Sequence, residues 1–199
     1  MKNFIINTNN LNPHFIGSWT IEPLSICDEI INYFELNLAK QRNGRTIDGV
    51  NTNFKDSIDI RITPKEIVHP SNEMFRTYFE KLFECYKQYI EEWPFLKDLA
   101  QGLEIGSFNL QRYLPGQHFK KIHTERSSIE SSHRVFAFMT YLNNIEKGGS
   151  TYFSHYDLEI QPKKGLTLIW PAEWTHAHRG NILKSGTKYI ITGWIHFAK

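Results

Sequence analysis

Val135-Phe136-Ala137-Phe138-Met139-Thr140-Tyr141-Leu142 decides the fold class, because the run is apolar on both faces. Successive side chains of a strand point to opposite sides, so such a strand must be covered twice over. Outward from it lie more short apolar runs, near residues 105–114, 151–153, 166–170 and 188–197. Pro115-Gly116, Gly148-Gly149, Lys163-Lys164-Gly165 and Ser185-Gly186 punctuate them. Many short strands separated by Gly and Pro turns predict a sandwich or barrel.

The first half reads differently. Residues 25–41 carry Ile26, Ile30, Phe34 and Leu38 on one helical stripe, and Ser25 with Asp28 resembles a capping box. Residues 72–92, between Pro70 and Pro94, carry Phe75, Phe79, Leu82, Phe83, Tyr86 and Ile90, a broad amphipathic face. Residues 43–56 read as a loop long enough to serve as a substrate lid. Ile58-Asp59-Ile60-Arg61-Ile62 then alternates as a strand. The expected arrangement is mainly β. The two helices flank the outside of one sheet and a second sheet faces its inside. All 199 residues are expected to form one domain, with 1–102 a helical support region plus a first strand and 103–199 the β core.

The totals narrow the function classes. The chain is 40% hydrophobic and 14% aromatic, which is globular rather than disordered. A net charge of +2, spread along the length, gives no strong signal for nucleic acid or an anionic membrane. Cys27 and Cys85 both fall in apolar helical patterns and make no disulfide framework, so a reducing cytoplasm is the expected setting. Met1-Lys2-Asn3-Phe4-Ile5-Ile6-Asn7 shows no secretory apolar region, and no run has the length of a membrane span.

His123-Thr124-Glu125 sets an imidazole and a carboxylate two residues apart, on one side of a strand. A second His from a distant strand would complete two nitrogens and one oxygen on one face of a metal. The opposite face then stays open, as non-heme Fe(II) oxygenases need. Trp174-Thr175-His176-Ala177-His178-Arg179-Gly180 offers two candidates on one side if extended, one to bind metal and the other to orient it. Lys188, Ile190, Thr192 and Trp194 share one face of the last strand. A Lys on such a face is either paired by a bound anion or reaches solvent from a sheet edge. Tyr113 and Tyr141 each place a phenol near a turn, suited to a carboxylate in a dry pocket.

The order of these features resembles one family. Tyr113-Leu114-Pro115-Gly116-Gln117, His123-Thr124-Glu125, Arg134 leading into Tyr141-Leu142-Asn143, and Gly148-Gly149-Ser150-Thr151-Tyr152-Phe153 come first. Pro162-Lys163-Lys164-Gly165, His178, Gly186-Thr187-Lys188-Tyr189 and Trp194 complete the series. The whole stretch is similar to the prolyl 4-hydroxylase-like branch of the Fe(II)/2-oxoglutarate dioxygenases, most of all its small bacterial and viral members.

The resemblance implies a double-stranded β-helix core, the jelly roll of cupin-like proteins, supported by the N-terminal helices. It implies that His123, Glu125 and His178 bind Fe(II), with His178 preferred to His176 for its spacing from Lys188. Lys188 would pair with the far carboxylate of 2-oxoglutarate, Tyr141 would donate to the same group, and Tyr113 would line the co-substrate pocket. Trp194 closes the motif. The implied activity is hydroxylation of an unactivated C–H bond in a peptide or protein side chain such as proline, with release of succinate and CO₂ and with ascorbate as a candidate reductant. A nucleobase or small metabolite is the alternative substrate, with Trp170, Trp174 and Tyr152 as candidate contacts. A non-catalytic metal- or sugar-binding jelly roll is a third reading. Glu125 departs from the commoner Asp by one methylene.

Overall fold

In the computed structural model, residues 2–3, 13–99 and 102–198 are described. Among them are thirteen strands. The first six are β1 (Lys2–Asn3), β2 (Gly17–Thr20), β3 (Arg42–Asn43), β4 (Ile58–Ile62), β5 (Leu103–Ile105) and β6 (Phe108–Tyr113). Then come β7 (Phe119–His123), β8 (Arg134–Tyr141), β9 (Thr151–Phe153), β10 (Leu158–Ile160), β11 (Leu166–Pro171), β12 (His178–Gly180) and β13 (Lys188–Phe197). The larger sheet runs β1-β2-β11-β8-β13-β6-β4-β3, with β5 also on β13; the smaller runs β10-β9-β12-β7. The two antiparallel sheets form the jelly-roll core.

The β8 run is covered on both sides, as its composition demands. Phe136 and Phe138 pack toward the helices, in a cluster with Phe75, Tyr78, Leu82 and Tyr89. Ala137, Met139 and Tyr141 face the other way, in a cluster with Phe153, Leu168 and Trp170 between the sheets. Burying each large apolar side chain contributes about 1.5–3 kcal/mol. The polar Thr140 is accommodated by a chain of hydroxyls, 2.9 Å from Tyr78 Oη and 2.7 Å from Thr167 Oγ1.

The helices follow the sequence pattern with shifted ends. The first, α1 (Ser25–Leu36), stops short of the expected residue 41. Its stripe ends at the buried Phe34; Asn37 leaves helical geometry, and Asn37 Nδ2 donates to Tyr33 O at 2.8 Å. The expected capping box does not form, because Leu24 is the cap residue and makes no side-chain cap bond. Asp28 instead meets Lys164 Nζ at 2.6 Å. A capping box forms where none was expected, between Thr63 and Glu66, on α2 (Pro64–Ile67). The long helix α3 (Glu73–Glu92) starts one residue later than expected. The expected strand 105–114 is two strands, both on one side of β13 and interrupted at Gly106-Ser107.

Gly193 sits opposite Phe138 in the middle of β13. A Cβ there would stand 2.7 Å from Phe138 Cζ and 2.9 Å from Phe108 Cβ, inside the main cluster. Overpacking of this kind costs about 1–3 kcal/mol. Gly193→Ala is therefore expected to lower the urea midpoint with an unchanged slope; an unshifted midpoint would show that the aromatic layer yields freely.

Candidate metal centre

The smaller sheet brings the two imidazoles together. β7 and β12 pair antiparallel with His178 directly across from His123, and their ring centroids lie 4.4 Å apart. Phe119 stacks on His123 at 3.8 Å, while Trp170 and Phe153 flank His178 at 5.2 and 5.3 Å. These rings fix both side chains and keep water from their backs.

The ring nitrogens are sorted by the backbone. His123 Nδ1 lies 2.8 Å from Lys121 O, and His178 Nδ1 lies 2.9 Å from His176 O. A carbonyl oxygen only accepts, so each Nδ1 carries the proton and each Nε2 presents a lone pair. Burial and the neighbouring His178 push the His123 imidazole down to about 4.

Glu125 comes from just beyond β7. Thr124 Oγ1 and Arg126 N both donate to Ala172 O, at 2.8 and 3.0 Å, and Arg126 also pairs with Glu173. Pinned on either side, Glu125 turns its carboxylate inward. Its Oε1 stands 3.4 Å from His178 Nε2 and 4.0 Å from His123 Nε2. Burial alone would raise this carboxyl; the hydrogen bond and charge that His178, then His123, supply when protonated, with the Trp194 indole, outweigh it and hold the group below the usual carboxylate range. One ligand atom from each of His123, Glu125 and His178 lies within 4.8 Å of the others. Two imidazole nitrogens and an ionised carboxylate converging on one point fit a divalent transition metal, with one face left open.

The larger sheet supplies the charge beside it. Lys188 on β13 is only 3% exposed. Its Nζ donates to Gly149 O at 2.8 Å and sits 4.4 Å over the Tyr113 ring. Among the described residues no carboxylate pairs with it, and burial drives it down from 10.5 to about 7. A cavity of about 680 Å³ joins this ammonium to the three ligand groups. An ammonium buried without an anion at the end of a shared cavity fits a dicarboxylate that chelates the metal at its other end.

Other expected residues take different places. Tyr113 lines the cavity and donates its hydroxyl to Gln111 Oε1 at 2.7 Å. The Tyr141 hydroxyl stands one layer back, donating to Thr151 Oγ1 at 2.6 Å, and Thr151 rather than Tyr141 reaches the cavity wall. His176 lies outside the cluster. The segment 174–176 is a single 3₁₀ turn rather than extended, and His176 Nε2 lies 2.9 Å from His14 O. Only its carbonyl serves the site, through His178. Trp170 lines the cavity, whereas Trp174 is 68% exposed against His155, and Tyr152 lies under Arg179. Residues 45–48 of the long loop form part of the cavity mouth. Gln111 and Thr192 also line it. Sequence reading places Thr192 on the face of Lys188 but passes over Gln111, which strand alternation sets on the face of Tyr113.

Known proteins resemble this chain in sequence and in fold. Residues 108–196 match the model of the 2OG-Fe(II) oxygenase superfamily. Probable prolyl 4-hydroxylase 9 of Arabidopsis thaliana is 29% identical over 115 residues, 45% of this chain and 40% of that protein. The chain thus spans well under half of that relative. Among solved structures, a viral collagen prolyl hydroxylase from Paramecium Bursaria Chlorella virus-1, in its 2OG complex, superposes with a TM-score of 0.62 at 20% identity, over 93% of this chain and 97% of that one. A prolyl hydroxylase from Trichoplax adhaerens, in complex with a hypoxia inducible factor peptide fragment, reaches 0.71 at 16% identity, over 94% of this chain and 86% of that one. Residues 108–196 are thus similar to the 2OG-Fe(II) oxygenase superfamily, and the fold that carries them is like that of solved prolyl hydroxylases.

Proposed function

We propose that this chain is an Fe(II)- and 2-oxoglutarate-dependent dioxygenase that hydroxylates a side chain of a peptide or protein, with proline the first candidate. The observation that carries the reading is the Lys188 ammonium, buried without an anionic partner in the cavity that also holds the two imidazoles and the carboxylate. When bound, the iron and 2-oxoglutarate supply the oxidising power, with succinate and CO₂ as the co-products.

The chain's own residues do the rest. His123, Glu125 and His178 would hold the ion. Lys188 takes the far carboxylate of the co-substrate, and Tyr113 packs beneath it. Phe119, Phe153 and Trp170 close the site behind the imidazoles and exclude water there. The peptide reading draws on the peptide held by the Trichoplax protein and on the names of the relatives. It also draws on the mouth itself. Ile47 and Ile122 line it at 69% and 49% exposure, and Ile129 is 88% exposed next to the lining residues Glu130 and Ser131. Such an apolar rim suits a ligand larger than the cavity.

Lys188 gives a pH signature in the metal-free protein. Between pH 7 and 10.5 the unfolded chain keeps a proton that the folded chain has shed. Stability from this group therefore rises with pH across that window and is flat below it. Urea unfolding of wild type at pH 7, 8 and 9 should show a rise that Lys188→Met lacks; identical profiles would place the ammonium in solvent.

Incubation with proline-containing peptides, Fe(II), 2-oxoglutarate and air is expected to give succinate and a product heavier by one oxygen. His123→Ala and His178→Ala should abolish both, and His176→Ala should retain activity. A dead His176→Ala with an active His178→Ala would reverse the ligand assignment.

A further inference from the structure

Glu125 has a longer side chain than Asp and one more torsion to fix, so its carboxylate needs an external hold to stay a one-oxygen ligand. That hold is present on the larger sheet. Trp194 Nε1 donates to Glu125 Oε2 at 2.6 Å, while Oε1 is the oxygen turned toward the imidazoles. The indole is in turn fixed by Arg134, whose guanidinium lies 3.6 Å over the ring. The same Arg134 donates from Nη1 to the Glu125 backbone carbonyl at 2.7 Å. One guanidinium thus ties together both ends of the residue, the main chain directly and the carboxylate through the indole.

The geometry points to Trp194 and Arg134 as a positioning brace that makes Glu125 a single-oxygen ligand and is matched to the length of a glutamate. An oxygen engaged by the indole N–H is held back from the ion, so the carboxylate does not swing into two-oxygen binding and fill a position that the co-substrate needs. Arg134 belongs to the β8 end and Trp194 to the β13 end, whereas both imidazoles belong to the smaller sheet. The brace is therefore a link between the two sheets at the ion, beside the Tyr141–Thr151 hydrogen bond and the packing of Trp170 on His178. Partners that orient a metal ligand typically change metal affinity by about 10- to 100-fold when removed.

This inference rests on the metal reading above, and the experiment separates the two. Mn(II), a probe that binds oxygen and nitrogen donors without redox chemistry, is titrated by electron paramagnetic resonance in the absence of 2-oxoglutarate. Wild type is expected to bind one ion, and Trp194→Phe, which keeps the ring and loses the N–H, to bind it about 10- to 100-fold more weakly. Glu125→Asp should also weaken binding in the wild-type background, because the shorter carboxylate loses the indole. In the Trp194→Phe background the same change should add little, giving a strongly non-additive cycle. Thermal unfolding of the metal-free variants checks that the fold is kept. If Trp194→Phe does not fold, Arg134→Met decides, with a loss of Mn(II) affinity in the same direction. No Mn(II) binding by wild type would overturn the metal reading and the brace with it. Binding by wild type with equal affinity in Trp194→Phe, or with additive losses, would overturn the brace alone.

Discussion

One antiparallel register governs the site: His178 on β12 stands directly across from His123 on β7. A slip by one residue would send one imidazole to the outer face of the smaller sheet and leave the carboxylate with a single nitrogen partner. The register is held from both sides. β9 pairs the other edge of β12, with His178 opposite Phe153, and the flanking aromatic rings fill the space behind both imidazoles. The register of β12 against β7 shifts between His178 and Gly180, just past the ligand pair.

The two sheets divide the chemistry. The smaller one carries the nitrogen donors, and the larger one carries the Lys188 ammonium, the Trp194 indole and Tyr113. Burying Lys188 in the free protein is unfavourable, and so is turning two lone pairs and a carboxylate toward one point. Both costs fall on the same cavity, and both are relieved by a cation and a dicarboxylate binding side by side. A fold that keeps such uncompensated groups trades stability for a prepared site.

Much of the architecture was legible because its signals are long. The β8 run is eight residues with two apolar faces, and the α3 pattern repeats over five turns, so each constrains its surroundings by itself. The shorter strands Gly17–Thr20, Leu158–Ile160 and His178–Gly180 carry three or four residues each, too few for a period to emerge. The metal candidates were legible through their order along the chain. Which histidine enters the cluster was fixed by a single 3₁₀ turn at 174–176, which depends on the docking of His176 against His14, a contact far apart in sequence. Tyr141 behaves likewise: its strand face was readable, but its hydroxyl is taken by Thr151 from the other sheet. The failed cap at Ser25 has a local origin: the helix starts one residue earlier than the pattern suggests, with Leu24 as its cap, and Asp28 is left to pair with Lys164.

The central claim is that the two imidazoles, the glutamate and the lysine together hold a ferrous ion and 2-oxoglutarate. An anaerobic visible-absorption titration tests it most directly. Adding 2-oxoglutarate to the protein with Fe(II) is predicted to produce a weak metal-to-ligand charge-transfer band that saturates at one equivalent of each. A flat spectrum at millimolar 2-oxoglutarate would contradict the account.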